Sequence, residues 1–221
     1  MSTVADNPWF SGSYLANNWS DIAQYTAQHV SLTVQAMVIA LFVALPLAVL
    51  AHRVPALGSA AVGTTAVLYT VPSLALFGLL VPFTGIGRTT VLIGLTLYAL
   101  LVLVRNTLVG LQGVPAEVRD AARGMGYSSA RRLLAVELPL ALPAILTGVR
   151  LATVSTVALV TVGVVVGYGG LGQLMYRGFN SSYRAEIMTA AVLCLLIALV
   201  ADLLLLAAGR ALTPWVRRRS A

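Results

Sequence analysis

Five long apolar runs alternate with shorter polar intervals along the chain, at roughly 30–51, 59–81, 89–111, 140–167 and 187–209. Each reaches the length of about 20 residues that a helix needs to cross a hydrocarbon core. None alternates apolar and polar positions as a barrel strand would. Helices are predicted throughout, because a segment in lipid must satisfy its own N–H and C=O groups. Two polar intervals stand out. Residues 1–28 carry Trp9, Tyr14, Trp19 and Tyr25 with Asp6 and Asp21. Such aromatics favour the headgroup level, which predicts an extracytoplasmic or interfacial arm with a short helix. Residues 112–139 form the longest polar interval between spans. The expected organisation is an arm (1–28), a transmembrane domain (29–212) holding the loop 112–139, and a basic tail (213–221). The expected fold class is an all-α integral membrane protein with about five transmembrane helices.

The polar intervals also set an orientation. With the N-terminus outside, the inner segments hold Arg53, then Arg119, Arg123, Arg131 and Arg132, then Arg210, Arg217, Arg218 and Arg219. The outer segments hold Arg88, Arg177 and Arg184. Basic residues concentrate on the cytoplasmic side, so the loop 112–139 is expected there, with a cytoplasmic C-terminus. Arg105, Arg150 and Asp202 fall inside spans, toward their inner ends. Long side chains can reach the interface from there, and the reading is interface anchors or an Arg–Asp pair rather than a transport role.

Within the spans, Val71-Pro72-Ser73 interrupts the second. Proline removes a donor and kinks a helix, and a break survives in lipid only where protein or a water-filled cavity covers it. It is read either as a packing kink or as a bend beside a substrate path. Tyr69, Pro72, Ser73, Phe77 and Tyr98 are the candidate path-lining residues. Gly148, Ala152, Thr156, Gly163 and Gly167 place small residues on the fourth span, where another helix can approach closely.

Composition narrows the class further. The chain is 59% hydrophobic and 10% charged, against about 25% charged in an ordinary soluble domain. Its net charge of +7 comes from arginine alone and is spread over loops, which argues against a nucleic-acid face. Cys194 is the only cysteine, so no disulfide or thiolate metal site is expected. His29 and His52 are isolated and are expected to be interfacial rather than ligands. No cofactor is expected.

Two motifs decide against nucleotide chemistry in this chain. Residues 167–172 fit G-x-G-x-x-G, but they end a membrane helix, and the next acid is Glu186; glycines there are expected to permit a turn with positive φ. A phosphate-binding P-loop requires a lysine, and the chain has none. The loop itself reads as two short helices. Pro115 and Glu117 suit a first turn. Gly124 and Gly126 break it, and Ser128 or Ser129 caps the next helix. Pro139 and Pro143 are expected to end that helix. A short basic, partly apolar helix suits either a partner's groove or an anionic lipid surface.

Asp120-Ala121-Ala122, Gly126 and Val136-Glu137-Leu138-Pro139 resemble the signature loop of ABC importer permeases: Glu-Ala-Ala, a Gly, nine residues, then Ile-x-Leu-Pro. Asp120 stands for its Glu and Val136 for its Ile. Pro72 through Leu80, Gly85-Ile86-Gly87, Arg105-Asn106-Thr107, Glu137 through Pro143 and Gly169-Gly170-Leu171-Gly172 further resemble permeases for osmoprotectants. The likeness covers about residues 30–209. It implies a type I ABC importer permease core with a cytoplasmic coupling-helix loop, in a bacterial cell membrane. The coupling residues it implies are Asp120, Ala121, Ala122, Arg123, Gly126, Val136, Leu138 and Pro139.

The implied cargo is glycine betaine, carnitine, choline or proline betaine. The implied partners are ABC ATPase subunits that bind the ATP, a second or paralogous permease copy, an extracytoplasmic substrate-binding protein and the lipid bilayer. No catalytic residue is implied. A methionine or other amino-acid importer shares this general plan. An ion-coupled secondary transporter would instead show repeats and paired broken helices. A membrane enzyme would show convergent acids, His or Cys at one depth.

Overall fold

The computed structural model describes residues 7–54, 56, 58, 60, 63–64 and 70–215. Among these, the elements are helices. They are α1 (Gly12–Asn17), α2 (Trp19–Arg53), α3 (Ser73–Thr84), α4 (Arg88–Gln112), α5 (Ala116–Gly124), α6 (Ser129–Arg132), α7 (Leu138–Val162), α8 (Leu171–Ser181) and α9 (Arg184–Leu212). A π turn, Leu133–Glu137, joins α6 to α7, and a 3-10 turn, Gly163–Val166, follows α7.

Among the described residues, four segments are long and apolar enough to cross a membrane: Trp19–Arg53, Arg88–Gln112, Ser129–Val166 and Arg184–Leu212. The second predicted span, 59–81, falls partly outside the described residues, Tyr69 included. Its described part is broken where proline was expected to break it. Residues 70–72 are non-helical, Pro72 is extended, and α3 begins at Ser73. The 12 residues of α3 reach only about 18 Å, short of a core of about 30 Å.

The chain divides into two compact units, 1–36, 72–96 and 154–200 in the first and 37–71, 97–153 and 201–221 in the second. In the first, Leu32, Ala36, Phe77, Val91, Leu95, Val160 and Val166 form one core, and Tyr14, Ile22, Leu171, Leu174, Ala185 and Ala190 form another. A Cβ on Gly163 would lie 2.9 Å from the Val91 side chain, so this glycine lets α7's end meet α4. Gly167 ends the 3-10 turn in the left-handed region, and Gly170 at φ +54 precedes α8. Here the glycine turn predicted from the sequence is found.

His29 corrects the expectation of an interfacial residue: it is fully buried. Its Nε2 donates to the Val157 carbonyl at 3.0 Å, and its Nδ1 accepts the Leu171 N–H at 3.3 Å. Gly170 offers no side-chain cap, so His29 on α2 caps the start of α8 instead. The arm is tied down too. Asn7 donates to the Ser182 carbonyl at 2.7 Å and accepts the Arg184 N–H at 3.0 Å, closing the turn between α8 and α9.

In the second unit, Ala40, Ala44 and Ala48 recur every four residues on α2, all fully buried against Ala99, Leu103, Val104 and Ala152. Such a ridge lets backbones approach closely. The same device joins α4 to α7. A Cβ on Gly110 would meet the Ala141 carbonyl at 2.9 Å, and one on Gly148 would meet Asn106 Cβ at 2.5 Å. Gly148 and Ala152 of the fourth span's small-residue face therefore pack inside this chain. Arg150 pairs with Asp202, as one of the two sequence readings expected. Arg105 makes no ion pair among the described residues.

Candidate functional site

The loop begins where α4 ends at Gln112. Pro115, with φ −58 and ψ 142, stands at the cap position of α5, one place before the expected first turn. Glu117 lies in that turn, near the positive end of the helix dipole. α5 buries only Ala122, while Asp120, Ala121 and Arg123 are exposed. Arg123 Nη1 lies 3.4 Å from Asp120 Oδ1, with both side chains 68% exposed. An ion pair so open to water contributes little stability.

The end of α5 is closed by a Schellman motif. The Tyr127 N–H donates to the Ala122 carbonyl at 3.1 Å, and the Gly126 N–H to the Arg123 carbonyl at 3.0 Å. Gly126 has φ +78, and a Cβ there would meet nothing within 4 Å. Glycine is needed here for backbone conformation and not for room. The sequence expected this break.

Ser128 then caps α6, its Oγ accepting the Arg131 N–H at 3.3 Å. The Arg131 guanidinium stacks 4.4 Å from the Tyr127 ring centroid.

Pro139 and Pro143 do not end this helix, contrary to expectation. The helical run continues from Ser129 through Val166. The π turn explains how. The Leu138 N–H donates five residues back, to the Leu133 carbonyl. This widened turn absorbs the donor and the space that Pro139 takes from an α-helix. Val136, Leu138 and Pro139 are half-buried along it.

Glu137 is 4% exposed. It accepts from Arg132 Nε at 2.7 Å and lies 3.4 Å from His52 Nε2 at the end of α2. A buried carboxylate needs such partners. This link was not legible in the sequence, where Glu137 is the variable position of the loop motif and His52 lies 85 positions away. His52 is thus a structural contact of the loop rather than an isolated interfacial residue.

Tyr69 lies outside the described residues. Phe77 is 1% exposed and packs in the first unit's core, its ring filling the space beside Gly94. Pro72 is exposed and Ser73 half-buried. In the second unit, the half-buried Tyr98 donates its hydroxyl to the Val71 carbonyl, which the break before α3 leaves without a helical donor. Among the described residues, no group of three or more His, Cys, Asp or Glu side chains could hold a metal.

Residues 36–218 match the family described as binding-protein-dependent transport system inner membrane component. The osmoprotectant import permease protein OsmW of Salmonella typhimurium is 37% identical over 206 residues, covering 91% of this chain and 96% of that protein. The carnitine transport permease protein OpuCB of Listeria monocytogenes is 34% identical, with coverage of 91% and 93%. Among solved structures, an inward-facing form of the MetNI methionine ABC transporter superposes with a TM-score of 0.78 at 24% identity, covering 85% of this chain and 94% of that one. At that identity the likeness speaks for the fold alone.

Proposed function

The chain belongs to the family of binding-protein-dependent transport system inner membrane components, and from that premise we propose that it is the permease of an ATP-driven importer of osmoprotectants. It is a multi-pass inner membrane protein. Its cargo class is glycine betaine, carnitine, choline or a related betaine, the compounds and class named for its relatives. On this reading residues 29–212 form the translocation domain, 1–28 an extracytoplasmic arm and 213–221 a cytoplasmic tail. ATP is bound by a separate ATPase subunit. A substrate-binding protein delivers cargo from outside, and a second permease copy completes the path.

One observation carries the coupling role. The loop's second helix runs without a break into α7. A displacement of Asp120, Ala121, Ala122, Arg123 and Gly126 by an ATPase would pass through α6 and the π turn, where Val136, Leu138 and Pro139 lie, into a membrane-crossing helix. That is a lever for rigid-body alternating access. The loop faces the cytoplasm, in keeping with the excess of arginine on that side.

The test is uptake into proteoliposomes holding the permease, the ATPase and the binding protein. Wild-type vesicles should accumulate a betaine only with ATP inside the compartment that the loop faces. Gly126→Trp should insert and fold, because the site has room for a side chain and the left-handed backbone costs an L-residue only about 1–2 kcal/mol, yet abolish uptake. Uptake driven by an ion gradient without an ATPase would overturn the reading. Accumulation of methionine in place of betaines would keep the mechanism and replace the cargo.

A further inference from the structure

A polar cavity of about 300 Å³ lies within the second unit, between the end of α2 and the loop. Arg53, Arg119, Arg123 and Arg132 line it, against two carboxylates, Asp120 and Glu137. Glu137 is already met by Arg132 and His52. Arg53 and Arg119 make no ion pair among the described residues. The cavity therefore carries a surplus of positive charge.

Backbone geometry adds to it. Ala116, the first residue of α5, also lines the cavity. Pro115 gives α5 no side-chain cap, so its first-turn N–H groups have none. A helix start of this kind attracts anions. Several guanidiniums around one space, with the uncapped start of α5 beside them, call for an anion that can meet more than one guanidinium at once. Orthophosphate offers four oxygens, and a phosphodiester headgroup offers two terminal oxygens beside its two ester oxygens; both suit the arginine fork.

We propose that this cavity binds a phosphate group, either free orthophosphate or the headgroup of an anionic phospholipid. The bound group would join Arg53 at the end of α2 to Arg119 on α5 and hold the loop against that helix end. The inference rests on the cavity and not on the transport reading.

Thermal unfolding of the purified full chain in detergent tests it. Two arms separate the sources: sodium phosphate against sodium chloride at equal ionic strength, and phosphatidylglycerol against phosphatidylcholine in mixed micelles. A saturating ligand should raise the midpoint by roughly 5 °C. Arg53→Gln with Arg119→Gln should remove the rise, and Arg88→Gln, in the other unit, should retain it. Arg53→Gln alone, at an exposed helix end, should weaken binding about tenfold and serves if the double variant misfolds. A rise in the phosphate arm assigns free anion; a rise with phosphatidylglycerol alone assigns the headgroup. No rise in either arm, or a rise that survives both substitutions, overturns the proposal. So does stabilisation appearing only with an ATPase subunit, which would place an acidic side chain in the cavity.

Discussion

Arg150 on α7 and Asp202 on α9 form a two-pronged pair, Nε to Oδ1 at 2.9 Å and Nη2 to Oδ2 at 2.8 Å, each side chain about one-third exposed. Among the described residues, α9 is the least covered of the four segments long and apolar enough to cross a membrane. The pair is a polar tie between α7 and the end of α9, where residues 201–212 include no buried one. Removing one member leaves an unpaired charge among apolar side chains, whereas removing both leaves none. Arg150→Leu and Asp202→Leu should each lower the unfolding midpoint in detergent, and the double variant should recover most of the loss. Additive losses would show that the two side chains act separately.

Gly126 holds a left-handed conformation in open space. An L-residue pays roughly 1–2 kcal/mol there, and asparagine pays less. Gly126→Ala should therefore speed exchange of the Gly126 and Tyr127 amides about fivefold to thirtyfold, with Gly126→Asn in between. Unchanged exchange in the alanine variant would mean that the Schellman motif does not close α5.

Gly170 presents the opposite case. It combines φ +54 with a Cβ position 2.8 Å from His29 Cβ. Gly170→Ala should cost more global stability than Gly126→Ala. His29→Ala should cost on the order of 1–3 kcal/mol, because the Leu171 N–H and Val157 carbonyl each lose a buried partner. Thermal midpoints of the three variants check this order.

Gly148 and Asn106 test the packing of α7 on α4. A methyl group at position 148 would stand 2.5 Å from Asn106 Cβ. Gly148→Ala should cost about 1–3 kcal/mol by overpacking. Asn106→Gly should relieve that cost in the double variant, measured as a coupling energy in a double-mutant cycle.

Tyr14 gives a pH dependence outside the spans. Its hydroxyl is buried near Arg177 and Glu186 without a hydrogen bond of ordinary geometry. Burial, and then the charge of Glu186, push its pKa up to about 12. The folded chain then keeps the phenol proton when the unfolded chain has lost it. Its contribution is fully present below pH 10 and is lost as pH rises toward 12. Tyr14→Phe should flatten this fall in a melting series across that range.

The sequence by itself determined what depends on neighbours along the chain. Apolar length fixed the long spans, since a helix in lipid satisfies its own backbone. Pro72 marked the break before α3, Gly124 and Gly126 the end of α5, and Ser128 the cap of α6. Each of these rests on the conformational limits of one residue or one turn.

Tertiary structure decided the rest, because the deciding partner was distant in sequence. His29 looked interfacial until Val157 and Leu171 supplied its hydrogen bonds, 128 and 142 positions away. Pro139 looked like a stop, yet a π turn of five residues carried the helix through it. α8 was too short and too mixed to read as a span, and it folds because Leu171, Leu174 and Gly178 find a surface to bury against. Glu137 was one letter of a motif until folding set it, buried, between Arg132 and His52. Local rules place the helices; only contacts across the chain decide which polar groups are matched inside it.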